Sequence, residues 1–285
     1  MWSFLLMLLC LIGASNGERV EVLMSNVTTQ QEDSYICTSY KLTDYQNYIT
    51  NIQPLTTPDV AHHMFAFGCE KPASLSKSWN CGNVVCQGEK TILFAWGRNA
   101  PALELPEDVA FKVGRNTKHK YIVVNIHYLK KVKDDASGLA LTVSNKPRRY
   151  QAGILLMVAG YINIPARTKK YTSELSCKYE GKNLNVFAYR VHAHMHGDVN
   201  AAYRIRNHEW LQLAKGDPQW PQAFYPTTDN FDLKDGDVLV GQCAYHNDEN
   251  RVIHAGPTHS DEMCNIYLMY YTDEISGSLY FYKAV

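Results

Sequence analysis

The sequence predicts an all-β protein, folded as β-sandwiches or jelly rolls in two halves of comparable size. Three observations carry this reading. Helical periodicity is scarce, and the apolar runs are short, β-branched or aromatic, and bounded by Gly, Pro, Asn or Asp. Tyrosine is abundant, at 19 of 285 residues, which favours strands. One polar, proline-containing stretch, SNKPRRYQ at residues 144–151, separates the two halves.

The chain opens with MWSFLLMLLCLIGASNG. Phe4 to Ile12 form a short apolar run, followed by small residues, with Ser15 and Gly17 before a cut. This is the pattern of a signal peptide over residues 1–17 with an uncharged start, since a span would need about 20 apolar residues. The mature chain then starts near Glu18 and is secreted or lumenal. No other stretch is long enough for a transmembrane segment. With 28 basic and 28 acidic residues, charge offers no reason to expect nucleic acid or an anionic membrane as partner.

Of eight cysteines, Cys10 leaves with the leader. Cys37, Cys69, Cys81, Cys86, Cys177, Cys243 and Cys264 remain. In an oxidising compartment most should pair, and the odd count leaves at least one over. Asn26-Val27-Thr28 is an acceptor triplet for glycosylation at Asn26. The clearest strand candidates are Tyr121–Tyr128, Leu139–Val143, Asn185–Val191, Asp237–Val240 and Asn265–Tyr271.

The histidines fall on or beside these strands. In RVHAHMHGDV, residues 190–199, strand periodicity sends Arg190, His192 and His194 to one face and Val191 and Ala193 to the other. Upstream, His62 and His63 are neighbours. Neighbours in a regular strand face apart, so joint ligation there requires irregular backbone or a strand end. His127 lies in the apolar strand ending VVNIHYL, and Met263 lies in SDEMCNIYLMYY. Each has an ordinary structural reading alone: a solvated strand face, an incidental pair, a satisfied core histidine, a packing methionine. Together they offer one imidazole cluster per half. Imidazole with thioether and no thiolate favours copper, whereas imidazoles alone would suit zinc. A blue-copper electron carrier is the first competitor, with Cys264 beside Met263. It lacks the close Cys, His and Met grouping on one loop, and Cys243 is a ready disulfide partner for Cys264.

HHMFAFGCEKP, VVNIHY, FAYRVHAHMHGDV, PQAFYP and SDEMCNIYLMYY occur in this order between about Tyr35 and Tyr271. In combination they closely resemble the peptidylglycine-hydroxylating branch of the ascorbate-dependent type II copper monooxygenase family. The resemblance implies two tandem β-sandwich domains, residues 18–145 and 150–285, with one copper each across a solvent cleft. The first, electron-transfer copper would be held by His62, His63 and His127. The second, oxygen-activating copper would be held by His192, His194 and Met263, whose soft sulfur suits Cu(I). Met195 and His196 are outside the ligand pattern. Arg190 matches the position that binds the substrate carboxylate, with Asn265 and Tyr267 as further substrate contacts.

The implied reaction hydroxylates the α-carbon of a C-terminal glycine in a peptide, with O2 as co-substrate and ascorbate as reductant. Two other readings stay open: hydroxylation of a small amine, as in the related dopamine β-monooxygenase, and an inactive secreted copper-binding protein. The amide product further implies a separate peptidylamidoglycolate lyase as partner, and the setting implied is neuropeptide maturation in a secretory-granule lumen. The implied disulfides are Cys37–Cys81, Cys69–Cys86 and Cys243–Cys264, with Cys177 an orphan and Ala136 near a position that is cysteine in relatives. Asn125 replaces a frequent Gln two residues before His127, with an expected change in a hydrogen bond near the first copper.

Overall fold

The computed structural model describes residues 17–273 apart from Asn83. Most of the predicted leader, including Cys10, and residues 274–285 lie outside the described residues. Ten strands form the first half: β1 Glu18–Leu23, β2 Ser34–Lys41, β3 Gln46–Leu55, β4 His63–Cys69, β5 Trp79–Asn80, β6 Lys90–Gly97, β7 Leu103–Glu104, β8 Val109–Gly114, β9 Tyr121–Tyr128 and β10 Gly138–Ser144. Ten more form the second: β11 Tyr150–Val158, β12 Asn163–Ile164, β13 Tyr171–Lys178, β14 Leu184–His192, β15 Gly197–Arg206, β16 Glu209–Gly216, β17 Tyr225–Leu233, β18 Val238–Tyr245, β19 Ile253–His254 and β20 Asn265–Asp273. No α-helix occurs among the described residues, and the chain is all-β.

In the first half a five-stranded sheet, β5-β2-β9-β4-β6, faces β1-β10-β3-β8. β9 shows why its sequence is almost continuously apolar. Ile122, Val124, Ile126 and Tyr128 point into the core with Ile49, Met64 and Trp96. Val123, on the other face, packs under Cys37–Cys81 and Cys69–Cys86. Both faces are covered, which removes the usual polar alternation. His127 lies on the disulfide face, at the end where that cover stops.

The second half packs β11, β20, β14 and β17 against β13-β18-β15-β16. Ile266, Leu268 and Tyr270 of β20 face its core, where Cys243–Cys264 also lies. Tyr267 and Met269 point the other way, into the core shared with the first half. Cys177 is the free cysteine among those described; it is half-buried, and burial pushes its thiol upward.

The two halves share one sheet. β8 runs parallel to β11 at Val109–Tyr150 and Ala110–Gln151, which joins the strands into the order β1-β10-β3-β8-β11-β20-β14-β17. The separator expected over residues 144–151 is therefore shorter, because Ser144, Tyr150 and Gln151 already lie in strands. A pairing with β8, which sequence proximity does not announce, takes up its last two residues.

Two arginines of β15 clamp the edge of the second sandwich. Arg206 pairs with Asp232 and Asp237, and Arg204 also reaches Asp232. Hydrogen bonds from Lys234 and Arg206 hold Asp232 down to about 2. A depressed carboxylate stabilises the fold above its unfolded value of about 4, and that contribution disappears as pH falls toward 2. Arg206→Ala should therefore lose less stability than the parent between pH 5 and 2 in urea unfolding; parallel acid limbs would contradict this.

Candidate metal centre

The first histidine group forms at a strand end. His63 opens β4, and His62 is the residue before it, so the pair escapes the alternation that would split it. Antiparallel pairing places His63 opposite His127 of β9. The Nδ1 atoms of His62, His63 and His127 then stand 3.3–3.4 Å from one another. An atom equidistant from three points so spaced lies about 2 Å from each, the length of a metal–imidazole bond. This trio is the one group of three potential ligands found this close together among the described residues. His127 donates through Nε2 to Asp33 Oδ1 at 2.9 Å, which leaves Nδ1 unprotonated. Tyr35 stacks on the same ring at 4.0 Å and restrains it.

Burial disfavours the charged form of every one of these rings. It pushes His62 down to about 4, with the neighbouring His127 adding to the effect. His63 lies well below its ordinary value and His127 lies lower too, the latter despite Asp33 pulling it up. Three neutral imidazoles with converging lone pairs suit a transition-metal ion, zinc or copper.

The second group is built by the pairing of β14 with β20. Arg190 stands opposite Tyr267, and His192 opposite Asn265. The strand expected over Asn185–Val191 runs from Leu184 to His192, and His194 and His196 sit in the connection to β15. The alternation expected for His194 is thus replaced by a turn. Its position is set by Glu262, a fully buried carboxylate that accepts the backbone N–H groups of His194, His196 and Met263 at 2.7–3.0 Å. One side chain thereby ties the histidine turn to the methionine backbone.

Hydrogen bonds select the free nitrogens here as well. His192 donates through Nδ1 to Gln222 Oε1 at 2.7 Å, and His194 donates through Nδ1 to the Asp261 carbonyl at 2.8 Å. Both Nε2 atoms are left as acceptors, with both rings held neutral chiefly by burial. Met263 is half-buried, and Asn265 Nδ2 donates to its sulfur at 3.5 Å. The donors suit copper by chemistry: two imidazoles and a thioether.

Arg190 is 1% exposed. Its Nε and Nη2 donate to the Gln222 carbonyl and side chain at 2.9 Å, and its guanidinium lies 4.8 Å from the centre of the Tyr267 ring. Nη1 has no hydrogen-bond partner among the described residues, and neither does the buried Oδ1 of Asn265.

The two groups face each other across a closed seam. The rings of His63 and His192 are 6.5 Å apart, and the cavity between the groups holds only about 20 Å³. The open cleft expected between the sites is absent from this arrangement. Arg98 Nη2 donates to Gln219 Oε1, and the Gln222 N–H donates to the Gly97 carbonyl, so the turn after β6 lies over the Arg190–Gln222 pair. A Cβ at Gly97 would come within 3.3 Å of Gln222 Oε1.

Three further expectations acquire positions. Asn125 does not adjust a hydrogen bond at the first histidine group: its amide donates to Cys81 Sγ at 3.1 Å, because Cys37 is its partner on β2. Met195 is exposed, and the buried His196 reaches Glu249 at 3.3 Å. Asn26 is exposed in a bend with φ 51°. Sequence reasoning missed Glu262, Gln222 and Asp33. Glu262 and Gln222 lie inside the quoted motifs, but Asp33 carries no local signal.

Two family models match the chain: the N-terminal domain of copper type II ascorbate-dependent monooxygenases over residues 20–135, and the C-terminal domain over residues 150–281. The mouse peptidyl-glycine alpha-amidating monooxygenase is 38% identical over 91% of this chain, and the rat peptidylglycine alpha-amidating monooxygenase is 38% identical over 89%. The chain spans 27% of the length of each. A chicken DBH-like monooxygenase protein 1 is 25% identical over 85% of the chain and 45% of its own length.

Glu262→Ala should empty the second site and spare the first. It removes the acceptor of three buried N–H groups, at about 1–3 kcal/mol each, and releases Met263 from the histidine turn. Copper retained after loading and desalting, measured by metal analysis, should be lower in the variant than in the parent. Equal retention would remove Glu262 from the assembly of the site.

Proposed function

The chain belongs to the copper type II ascorbate-dependent monooxygenase family, and from that premise we propose that it hydroxylates the α-carbon of a C-terminal glycine in peptides. We assign one copper to His62, His63 and His127 and a second to His192, His194 and Met263. When bound, the two ions supply oxygen activation and one-electron storage, with ascorbate as reductant and O2 as co-substrate.

The observation that carries the substrate class is Arg190. It is a buried cation whose every observed partner is neutral: an amide carbonyl, an amide side chain and a phenol ring. Burying an ion without a counter-charge costs several kcal/mol, so the position calls for an anion. A peptide carboxylate fits the free Nη1. The free Oδ1 of Asn265, on the adjacent strand, is an acceptor suited to a peptide N–H. A carboxylate beside an amide N–H is what the end of a peptide offers, and a small amine, which also carries N–H groups, lacks the carboxylate. Tyr267 buttresses the guanidinium from below.

The closed seam gives the order of events on the protein side. The Gly97–Arg98 turn must part from Gln219 and Gln222 for substrate to reach Arg190, and its return excludes water from the reacting centre. Gln222 connects the two functions, because its Oε1 accepts from both Arg190 and His192. Binding at the arginine is thereby linked to the orientation of a ligand imidazole.

The hydroxylated product is the substrate of a peptidylamidoglycolate lyase that completes amidation. The disulfides fit an oxidising compartment, and we assign the protein to the secretory pathway, in the granule lumen or outside the cell, with a cleaved leader and a glycan on Asn26.

Incubation with copper, ascorbate, O2 and a glycine-extended peptide should give a hydroxyglycine product by mass spectrometry. No product from chains loaded with both coppers would overturn the proposal, and hydroxylation of a phenylethylamine instead would move the chain to the amine-acting class. Arg190→Ala removes a charge-assisted contact of about 1.5–3 kcal/mol and should raise KM roughly ten- to hundred-fold; an unchanged KM would refute the carboxylate role. Met263→Ile should keep the fold but lose turnover, and full activity would remove Met263 from the site.

A further inference from the structure

A fifth imidazole stands at the seam. His259 lies in the connection between β19 and β20, four residues before Met263, and lines the same cavity as His62, His63, His192 and His194. It belongs to the second half, yet its ring meets that of His62, in the first half, edge-on at 6.0 Å and 80°. It also bears electrostatically on His127 and His194.

Its surroundings differ from those of three of the histidines assigned as ligands. His127, His192 and His194 are each anchored through one ring nitrogen. The His259 ring is exposed and makes no hydrogen bond among the described residues, so both nitrogens are available and the ring is free to turn.

We propose that His259 is a fourth imidazole ligand of the copper held by His62, His63 and His127, donated by the second half when the seam is closed. This rests on the assignment of that copper site. The trio's rings are 4.7–5.4 Å apart, centre to centre. With nitrogen about 2 Å from a metal and a ring centre about 1 Å further out, two imidazoles on one ion span about 5 Å at a tetrahedral angle and about 6 Å when opposed. The opposed position lies between the other two ligands of a trio whose nitrogens are 3.3–3.4 Å apart and is blocked, so the tetrahedral spacing applies, and the 6.0 Å between His259 and His62 exceeds it by about 1 Å. His259 is not part of the tight trio, so ligation requires its exposed ring to rotate inward. Three ligands leave a position open on the copper, and His259 is the imidazole placed to fill it. The bond would make closure of the seam depend on the metal, and opening it would return the first copper to three ligands.

The test uses a chain with His192→Ala and His194→Ala, so that one copper is held, at the first group. X-ray absorption should count four imidazoles on that copper. Adding His259→Ala should reduce the count to three and weaken copper retention against a competing chelator by about tenfold or more. The metal-free forms should melt together, since His259 is exposed and makes no hydrogen bond among the described residues. Three imidazoles and equal retention with and without His259 would overturn the proposal while leaving the copper site intact. Failure of the His259-containing chain to hold copper at all would overturn both this proposal and the ligand assignment beneath it.

Discussion

Arg190 and His192 stand on β14 opposite Tyr267 and Asn265 on β20. A slip of one residue in that register would send the two side chains of the shifted strand to the other face of the sheet, away from the pair opposite. The register is held because the alternate residues, Val191 against Ile266 and Tyr189 against Leu268, belong to the other side of the same two strands, where Ile266 and Leu268 enter the second core. The functional face of the pair is turned toward the first half, and Tyr267 and Met269 join the core that both halves share. Packing that stabilises the molecule and geometry that builds the site are therefore two faces of one pairing.

Beyond the last paired residues, hydrogen bonds take over from the sheet. Glu262 is buried without a cation and is compensated by backbone N–H groups from both sides of the site. Such a group tolerates little displacement, since each lost donor leaves charge unsolvated. The same logic selects ring nitrogens. Asp33 takes the Nε2 proton of His127, so the first group converges through Nδ1. Gln222 and the Asp261 carbonyl take the Nδ1 protons of His192 and His194, so the second group presents Nε2. Burial supplies the remaining condition by keeping the rings neutral.

At the histidine end the seam between the halves is polar: an arginine on a glutamine, an amide on a carbonyl, a glycine beneath a guanidinium, and the rings of His63 against His192 and His62 against His259. The shared sheet fixes the halves at the β8–β11 end, while these contacts close them at the histidine end. Interfaces of this composition part more readily than apolar ones, which suits a site whose arginine must be reached from outside and then covered.

Much of this was legible from residue order. Short apolar runs bounded by turn formers determined the all-β class, and β9 matches its predicted Tyr121–Tyr128 span. The histidines, Arg190 and Met263 stood out because those residue types are unusual together in strand-like sequence. Sequence could not announce that β8 would join β11, that a turn would take His194 out of the strand alternation, or that Asn125 would turn to a disulfide. Nor could it assign an orienting role to Glu262, Gln222 or Asp33. Local pattern determines which face a side chain takes within a strand, because that depends on a two-residue repeat. Which strands become neighbours, which nitrogen of a ring is left free, and how closely two halves meet depend on contacts between residues far apart in the chain, and only the folded structure decides those.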